Sequence, residues 1–275
     1  MSTAVLAPAY PSSAPPAGHP VRWLVADAVT MTWRNLIALT RVPEAVFFSS
    51  VQPVMFVLLF RYIFGGAIHV PDPGGYVNYL MPGIFVQTVA FGSTGTAIGL
   101  SEDLQKGLIE RFRALPMARS AVLAGRTTAD LIRNVLVVAL MTGVGYLVGF
   151  RITTSAGEFI LGALILLLFS YTLSWGFAAI GLSAPTSETA QLMSFPILFP
   201  LAFASSAFVP VATMPSWLRG FAGHQPFSVT VDAARSLMVG GPSHSASAPW
   251  EAVAWAVGLF AVLAPLAVWR YRKST

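Results

Sequence analysis

The chain has 275 residues, of which 55% are hydrophobic and only 10% are charged, and its mean hydropathy is +0.70. Soluble domains carry charge on about a quarter of their residues, so this composition excludes an ordinary soluble protein and predicts a membrane domain. The absence of cysteine excludes disulfides and thiolate metal sites, and the net charge of +5 does not predict nucleic-acid binding, because the basic residues are spread over segments that flank apolar runs.

The N-terminal part of the chain is too polar to cross a bilayer. Residues 1–20 are rich in proline, alanine and serine and have neither a basic start nor a long apolar stretch, so we expect a disordered tail and no signal peptide. Residues 21–42 place Asp27, Arg34 and Arg41 at regular intervals, while apolar residues gather on another side. We expect an amphipathic helix in the membrane interface with its arginines toward the headgroups; a cytosolic helix that packs on a partner is the alternative.

Residues 43–275 form the predicted membrane domain, an all-α polytopic bundle of six transmembrane helices. The spans are expected at about 45–64, 77–100, 128–150, 157–183, 191–210 and 250–269. Ser155 and Glu158 fit a capping box at the start of the fourth span. Pro196 and Pro200, one turn apart, predict a kinked fifth span, and the carbonyl groups that such a kink frees are typical of transport pathways.

The loops predict the orientation. Most of the 16 basic residues fall on the side of the two termini, which places both termini and the charged segment 102–126 in the cytosol. On the other side, residues 214–240 are expected to form two short helices broken near Gly223, an outer-face helical hairpin between spans five and six. We interpret three polar residues of this hairpin as surface residues: His224, Asp232 and Arg235.

The chain has no evident energy source of its own. An ion-driven carrier keeps ionisable residues deep in its bundle, whereas Asp130 and Arg133, three residues apart at a span end, predict a structural ion pair. The two lysines, Lys106 and Lys273, do not fit the glycine-rich pattern of a phosphate-binding loop. Any ATPase must therefore be a separate polypeptide. We also find no paired carboxylates and no metal-ligand spacing, so we expect no catalytic or metal site on this chain.

The segment 102–126 is the most highly charged part of the domain. Four of its residues are spaced to interact along one helix: Glu102, Lys106, Glu110 and Arg113. Pro116 is expected to end that helix, and a short second element around residues 117–123 would supply an apolar knob. A rigid charged lever with an apolar knob favours docking to a partner; a solvated loop that merely follows the positive-inside rule is the alternative.

Three motifs resemble those of type-2 ATP-binding-cassette (ABC) exporter permeases, and the nearest resemblance is to the daunorubicin-resistance membrane-component family. The first motif combines Glu102-Asp103-Leu104 and Gly107 with Glu110-Arg111-Phe112-Arg113, Leu115-Pro116 and Gly125-Arg126. The others are Tyr79 to Ile84 and the pair Ser205 to Pro210 and Met214 to Pro226. The resemblance covers nearly the whole chain after Val21.

This resemblance implies a half-transporter in the bacterial cytoplasmic membrane. Two permease copies, identical or paralogous, would pair, and two ABC ATPase subunits carrying ATP and Mg would dock on a cytosolic coupling helix between spans two and three, with no cofactor on this chain. The outer hairpin would cap the pathway. The residues implied in ATPase coupling are Glu102, Asp103, Lys106, Glu110, Arg111, Arg113, Leu115, Pro116, Met117 and Arg119.

The resemblance also implies a substrate pathway lined by spans two and five. The residues so indicated are Phe85, Gln87, Phe91, Thr94, Phe195, Phe199 and Phe203. Their rings and few polar groups suit an amphipathic or hydrophobic cargo, although ordinary helix packing explains any single phenylalanine equally well. The predicted function is thus export of a drug, antibiotic or similar metabolite. Export of a lipid or lipid-linked polymer is the alternative, and a membrane scaffold or enzyme is a remote one.

Overall fold

The computed structural model describes residues 21–40, 43–68, 70, 75–114, 119–240 and 247–273. The helices are α1 (Val21–Thr40), α2 (Pro43–Leu59), a π-helix (Phe60–Phe64), α3 (Gly75–Gly92), α4 (Thr94–Gln105), α5 (Leu108–Ala114), α6 (Arg119–Val148), α7 (Ala156–Gly181), α8 (Ser187–Phe203), a 3-10 helix (Val211–Thr213), α9 (Ser216–His224), α10 (Pro226–Met238) and α11 (Ala248–Lys273). No strand occurs in the described ranges, so the all-α prediction is confirmed there. The predicted tail, residues 1–20, lies outside them.

Four helices in these ranges are long and apolar enough to cross a membrane. They are Gly75–Gln105, which joins α3 and α4, Ser120–Val148 of α6, Ala156–Gly181 and Ala248–Lys273. The other two predicted spans correspond to shorter helices, the 17-residue α2 with its π-helical extension and the 17-residue α8. The count of six spans therefore stays a prediction.

Two helix ends differ from the ends of the predicted spans. The helix α6 starts at Arg119, before the expected start of the third span near residue 128, and packs its first turns on α1. The helix α8 ends at Phe203, before residue 210, the expected end of the fifth span. There the Gln225 Nε2 donates hydrogen bonds to the carbonyl oxygens of Leu201 (2.7 Å) and Ala204 (3.0 Å), which satisfies two carbonyl groups at the helix end.

The helix α3 is the centre of the bundle. Every residue from Tyr76 to Ala90 is buried, and α3 contacts α2, α6, α7, α8 and α10. A helix that is apolar all round must be enclosed by other elements, which is the arrangement observed. At the start of α7, Ser155 Oγ accepts from the Glu158 N–H and the Glu158 carboxylate accepts from the Ser155 N–H, so the predicted capping box is confirmed.

The helix α1 lies against α6 and leaves an apolar face uncovered. Its buried Met31 sits against Gly125 of α6, whereas Val29 and Trp33 are 62% and 66% exposed. Arg34 is engaged within the protein, because its Nη2 lies 3.2 Å from Oδ2 of Asp103, and the orientation of the arginines toward the headgroups stays a prediction. The exposed apolar face is what a helix in the membrane interface requires.

Close backbone contacts hold α4 against its neighbours. At Gly181 in α7, an added Cβ would overlap the carbonyl oxygen of Ala97 in α4. At Gly99, an added Cβ would overlap the Arg126 guanidinium of α6. Small residues at such positions let membrane helices approach until their backbones touch. The position of α4 between α6 and α7 therefore depends on these two glycines.

We predict that Gly181→Ala destabilises the protein by about 1–3 kcal/mol, because the new methyl group meets rigid backbone rather than a flexible side-chain end. The measurement is the thermal unfolding midpoint of the detergent-purified protein. The matched control is Gly143→Ala in α6, where an added Cβ meets nothing within 4 Å. That substitution should be neutral or stabilise the helix by up to about 1 kcal/mol. Equal midpoints for the two variants would contradict the proposed contact.

Candidate functional site

A cleft of about 250 Å³ opens where α2, the junction of α3 and α4, α6 and α8 meet. Its lining residues, which define the cleft below, are Gln52, Pro53, Phe56, Gln87, Thr88, Phe91, Gly92, Thr94, Gly95, Ile98, Arg133, Asn134, Val137, Gln191 and Phe195. Four of the predicted pathway residues are among them: Gln87, Phe91, Thr94 and Phe195. The rings of Phe91 and Phe195 meet edge to face across the cleft with centroids 5.9 Å apart.

The cleft is built on an interruption of the second predicted span at Ser93. There the Thr96 N–H donates to the Ser93 carbonyl, one residue short of the α-helical partner Gly92. The Gly92 carbonyl instead accepts a short hydrogen bond from Nη2 of Arg133, and the Gly95 carbonyl accepts from Nη2 of Arg126 at 3.1 Å. The Arg133 side chain of α6 thus supplies the hydrogen bond that the Gly92 carbonyl loses at the interruption, as backbone groups in a membrane require.

A second set of contacts fixes the same interruption from α7. The hydroxyl of Ser93 lies 3.0 Å from the hydroxyl and the carbonyl oxygen of Ser170. Nδ2 of Asn134 donates to Oγ of Ser170 at 2.6 Å. Ser93, Asn134 and Ser170 are each at most 1% exposed. This polar network was not predicted, although the sequence contains its signal, three polar residues inside apolar spans.

Beside the cleft lies a buried charged group, the Asp130 cluster, formed by Thr96, Arg126, Asp130 and Arg133. Oδ2 of Asp130 accepts from the Thr96 hydroxyl at 2.5 Å and lies 3.8 Å from Nε of Arg126. Oδ1 of Asp130 lies 3.4 Å from Nη1 of Arg133. The Asp130 side chain is 3% exposed, so its charge is balanced by two arginines rather than by water. The predicted ion pair of Asp130 and Arg133 is confirmed.

Most polar groups of the cleft are already engaged within the protein. The hydroxyls of Thr88 and Thr94 donate to the carbonyl oxygens of Ile84 and Phe91, both at 2.7 Å. Arg133 is held by Asp130 and Gly92. Gln87 differs, because its amide makes no hydrogen bond with any other residue that the structure describes. An amide that is 5% exposed and lines a cleft is a group that a bound molecule can satisfy.

The other three predicted pathway residues do not line the cleft. Phe85 is fully buried and meets Phe150 edge to face at 5.9 Å, so it belongs to the core of α3. Phe199 stacks on Phe203 at 4.3 Å. Phe203 continues this stack to Phe208 at 5.2 Å. The stack joins α8 to the π-helix, where it packs the helices together.

The charged segment differs from the predicted single helix. The pair of Glu102 and Lys106 is present at 3.2 Å, but Gly107 has φ of +65° and separates α4 from α5. The predicted contact of Lys106 with Glu110 along one helix is therefore wrong. Glu110 and Arg111 are exposed on α5. Asp103, by contrast, is engaged with Arg34.

The predicted knob is also placed differently. Leu115, Pro116 and Met117 lie outside the described residues, and so do the side chains of Arg113 and Arg119. Leu123 belongs to α6 and is buried against α4, α5, α7 and α11 in one apolar cluster. It is thus part of the protein's own core and is not available to a partner.

Arg235 in α10 is not the surface residue that we predicted. It is 2% exposed, and its guanidinium lies 3.7 Å from the centroid of the Tyr79 ring. Nη1 binds Oδ1 of Asp232 at 2.8 Å, and Nη2 donates to the Ser206 carbonyl at 2.9 Å. Arg235 therefore ties α10 to α3 and to the turn after α8. No group of acidic and histidine residues that would hold a metal ion occurs in the described ranges.

Comparison with known proteins gives consistent matches over nearly the whole chain. The family model described as ABC-2 type transporter matches residues 27–239. The daunorubicin resistance ABC transporter permease protein DrrB1 of Streptomyces coeruleorubidus is 34% identical over 255 residues, which cover 90% of this chain and 87% of that protein. The probable doxorubicin resistance ABC transporter permease protein DrrC of Mycobacterium tuberculosis is 27% identical over 267 residues, covering 96% and 95%. A putative transport permease, ycf38 of Cyanophora paradoxa, is 24% identical over 78% of this chain and 75% of that protein.

We predict that Asp130→Asn lowers the free energy of unfolding by about 3–5 kcal/mol, because two arginines then lose their shared counter-ion in a buried position. Thermal unfolding of the purified protein measures the loss. Glu102→Gln serves as the control, since it removes a carboxylate whose side chain is 44% exposed and whose pair with Lys106 is worth at most about 1 kcal/mol. If both variants unfolded at the same temperature, the structural role of the Asp130 cluster would be refuted.

Proposed function

Because the chain belongs to the ABC-2 type transporter family, it is an ABC-type permease subunit embedded in a membrane, and we propose that it exports hydrophobic or amphipathic compounds from the cytoplasm with energy from a separate ATPase. The observation that carries the proposal is the cleft, where aromatic rings surround an unpaired buried amide. Such a combination provides broad apolar contact and one orienting hydrogen bond. Two relatives are named for resistance to daunorubicin and doxorubicin, which supports a cargo of that class.

In this proposal the cargo occupies the cleft at the junction of α3 and α4. Phe91 and Phe195, whose rings touch edge to face, contact the apolar part of the cargo together, and Gln87 offers its amide as donor and acceptor. Arg133 lines the same space, and its positive charge is offset only in part, because Asp130 is shared with Arg126. The cleft therefore presents one partly offset positive charge among apolar and neutral polar side chains, which suits a largely apolar cargo with a few polar groups.

The proposed topology has six spans with both termini in the cytosol. α2 with the π-helix and α8 supply the two spans beyond the four long helices. Basic residues concentrate at the ends of α1, α6 and α11 that this orientation places in the cytosol. The same orientation places α5 in the cytosol and α9 and α10 on the outer face.

The proposed docking surface for the ATPase is α5 with the end of α4. Gly107 ends α4 in a left-handed backbone conformation and turns the chain into α5, which presents exposed Glu110 and Arg111. On its inner side Ile109 is 1% exposed and packs in the apolar cluster with Leu100 and Leu123. A helix anchored on one side and charged on the other is suited to transmit a push from a partner into the bundle. The partner in this proposal is a pair of ABC ATPase subunits acting on a pair of permeases.

We predict that the double substitution Glu110→Ala, Arg111→Ala lowers export about tenfold at an unchanged membrane level, equivalent to about 1.4 kcal/mol of docking energy. The measurement is efflux of a fluorescent anthracycline together with ATPase activity of the complex. The control, Arg61→Ala with Glu251→Ala, removes two exposed charges from the proposed outer side. Normal export in the α5 variant, or an equal loss in the control, would refute the docking surface.

We predict that Gln87→Leu raises the cargo concentration needed for half-maximal stimulation of ATPase activity about three- to tenfold, because one hydrogen bond to the cargo is lost. Thr213→Val removes an exposed hydroxyl in the 3-10 helix, away from both the cleft and the proposed docking surface, and should leave this concentration unchanged. The assay uses the reconstituted complex and a panel of cargo compounds. Identical dose curves for the two variants with every compound would remove Gln87 from the cargo site.

A further inference from the structure

A second depression lies on the lipid-facing surface between α7 and α11, far along the chain from the cleft. This α7–α11 groove has a volume of about 500 Å³ and is lined by Trp175, Phe260, Ala261, Ala264, Pro265, Val268, Trp269 and Arg272. It shares no lining residue with the cleft. The proposed transport function therefore does not account for it.

The floor of the groove is apolar and aromatic. Trp175 and Phe260 meet edge to face with centroids 5.8 Å apart, and Tyr171 stacks on Phe260 at 5.8 Å. Small side chains of α11, Ala261 and Ala264, leave the space between the two helices open. An apolar groove of this kind suits a hydrocarbon chain better than a polar ligand.

One polar group in this apolar wall has no partner. Nε1 of Trp175 is buried and finds no hydrogen-bond acceptor among the described residues, and the whole residue is 6% exposed. An indole N–H left without an acceptor in an apolar environment costs about 1–3 kcal/mol. Trp175 lies less than two turns before the end of α7 at Gly181.

The mouth of the groove is positively charged. Arg272 lines it, and the neighbouring cations Arg270 and Lys273 lie over the Trp269 ring at 5.4 and 4.3 Å from its centroid. A guanidinium at the headgroup level forms bidentate hydrogen bonds with a phosphate, and each basic residue there attracts anionic lipids. The groove thus combines an apolar wall, a buried donor without a partner and a cationic mouth.

We propose that the α7–α11 groove binds one anionic phospholipid of the surrounding bilayer. Its phosphate is held by Arg272, one acyl chain lies over Phe260, Ala261 and Ala264, and an ester oxygen accepts from Nε1 of Trp175. The indole must turn toward the groove for this last contact, since Nε1 is buried in the protein without lipid. A bound lipid of this kind would fill the space between α7 and α11.

The test is native mass spectrometry of the purified, complete chain with phosphatidylglycerol and, separately, phosphatidylcholine. We expect one tightly held phosphatidylglycerol per chain, and an increase of about tenfold in its dissociation constant for Arg272→Gln, with Arg272→Lys losing less. Trp175→Phe, which keeps a ring but removes the N–H, should raise the constant about threefold or more. Arg61→Gln is the matched control, because it removes an equal, exposed charge in the π-helix, which does not line the groove.

Quenching by dibrominated phosphatidylglycerol in nanodiscs locates the lipid. The chain has seven tryptophans, so the contribution of Trp175 is the part of the quenching that Trp175→Phe abolishes. Equal losses for Arg61→Gln and Arg272→Gln would show that only the total charge of the chain matters, and equal binding of phosphatidylcholine would show ordinary annular lipid. Absence of Trp175 quenching would show that protein, such as a second copy of the chain, covers the groove. Each of these three results would overturn the proposal.

Discussion

A helix in a bilayer must satisfy its own backbone, because no water competes for exposed carbonyl groups in the hydrocarbon. The interruption at Ser93 is where this constraint governs the structure. Arg126 and Arg133 of α6 donate to carbonyl oxygens of the interrupted helix, and Ser170 of α7 contacts Ser93 from the other side. These donors reach the helix only if α4 lies directly against both neighbours. The close helix contacts and the two arginines are thus both needed to satisfy the interrupted backbone.

The candidate cargo site follows from this arrangement of helices around the interruption. The interruption lies beside Gly92 and Gly95, which have no side chains to fill the space. The α6 side chains that approach these glycines form one wall of the cleft. Since Asp130 offsets part of the charge of the two arginines, the wall is polar and only weakly cationic. Among the described residues that line the cleft, Gln87 is the one buried polar side chain without a hydrogen-bond partner in the protein. Its amide can therefore bind a cargo molecule. The side chains that hydrogen-bond the interrupted backbone are therefore different from the Gln87 side chain that is proposed to bind the cargo.

Sequence patterns were reliable where the deciding contacts are local. The capping box of Ser155 and Glu158 and the ion pair of Asp130 and Arg133 each lie within one helix, and both are present. The apolar runs identified the four long helices, because length and hydropathy are properties of a segment alone. The family resemblance indicated spans two and five, and four of the seven residues taken from it line the cleft. It did not separate these from Phe85, whose neighbour Phe150 comes from a different span.

The sequence by itself determined the membrane environment, the helical class, the family and the positions of most apolar helices. Only the tertiary structure decided which charged residues are exposed and which are engaged with other parts of the chain. Positive-inside counting treats every arginine alike, yet Arg34 is engaged with Asp103 and Arg235 is buried under Tyr79, whereas Arg111 and Arg272 are exposed. The reason is that periodicity reports which side of a helix is polar, while the partner of a polar atom comes from another helix, tens of residues away in the chain.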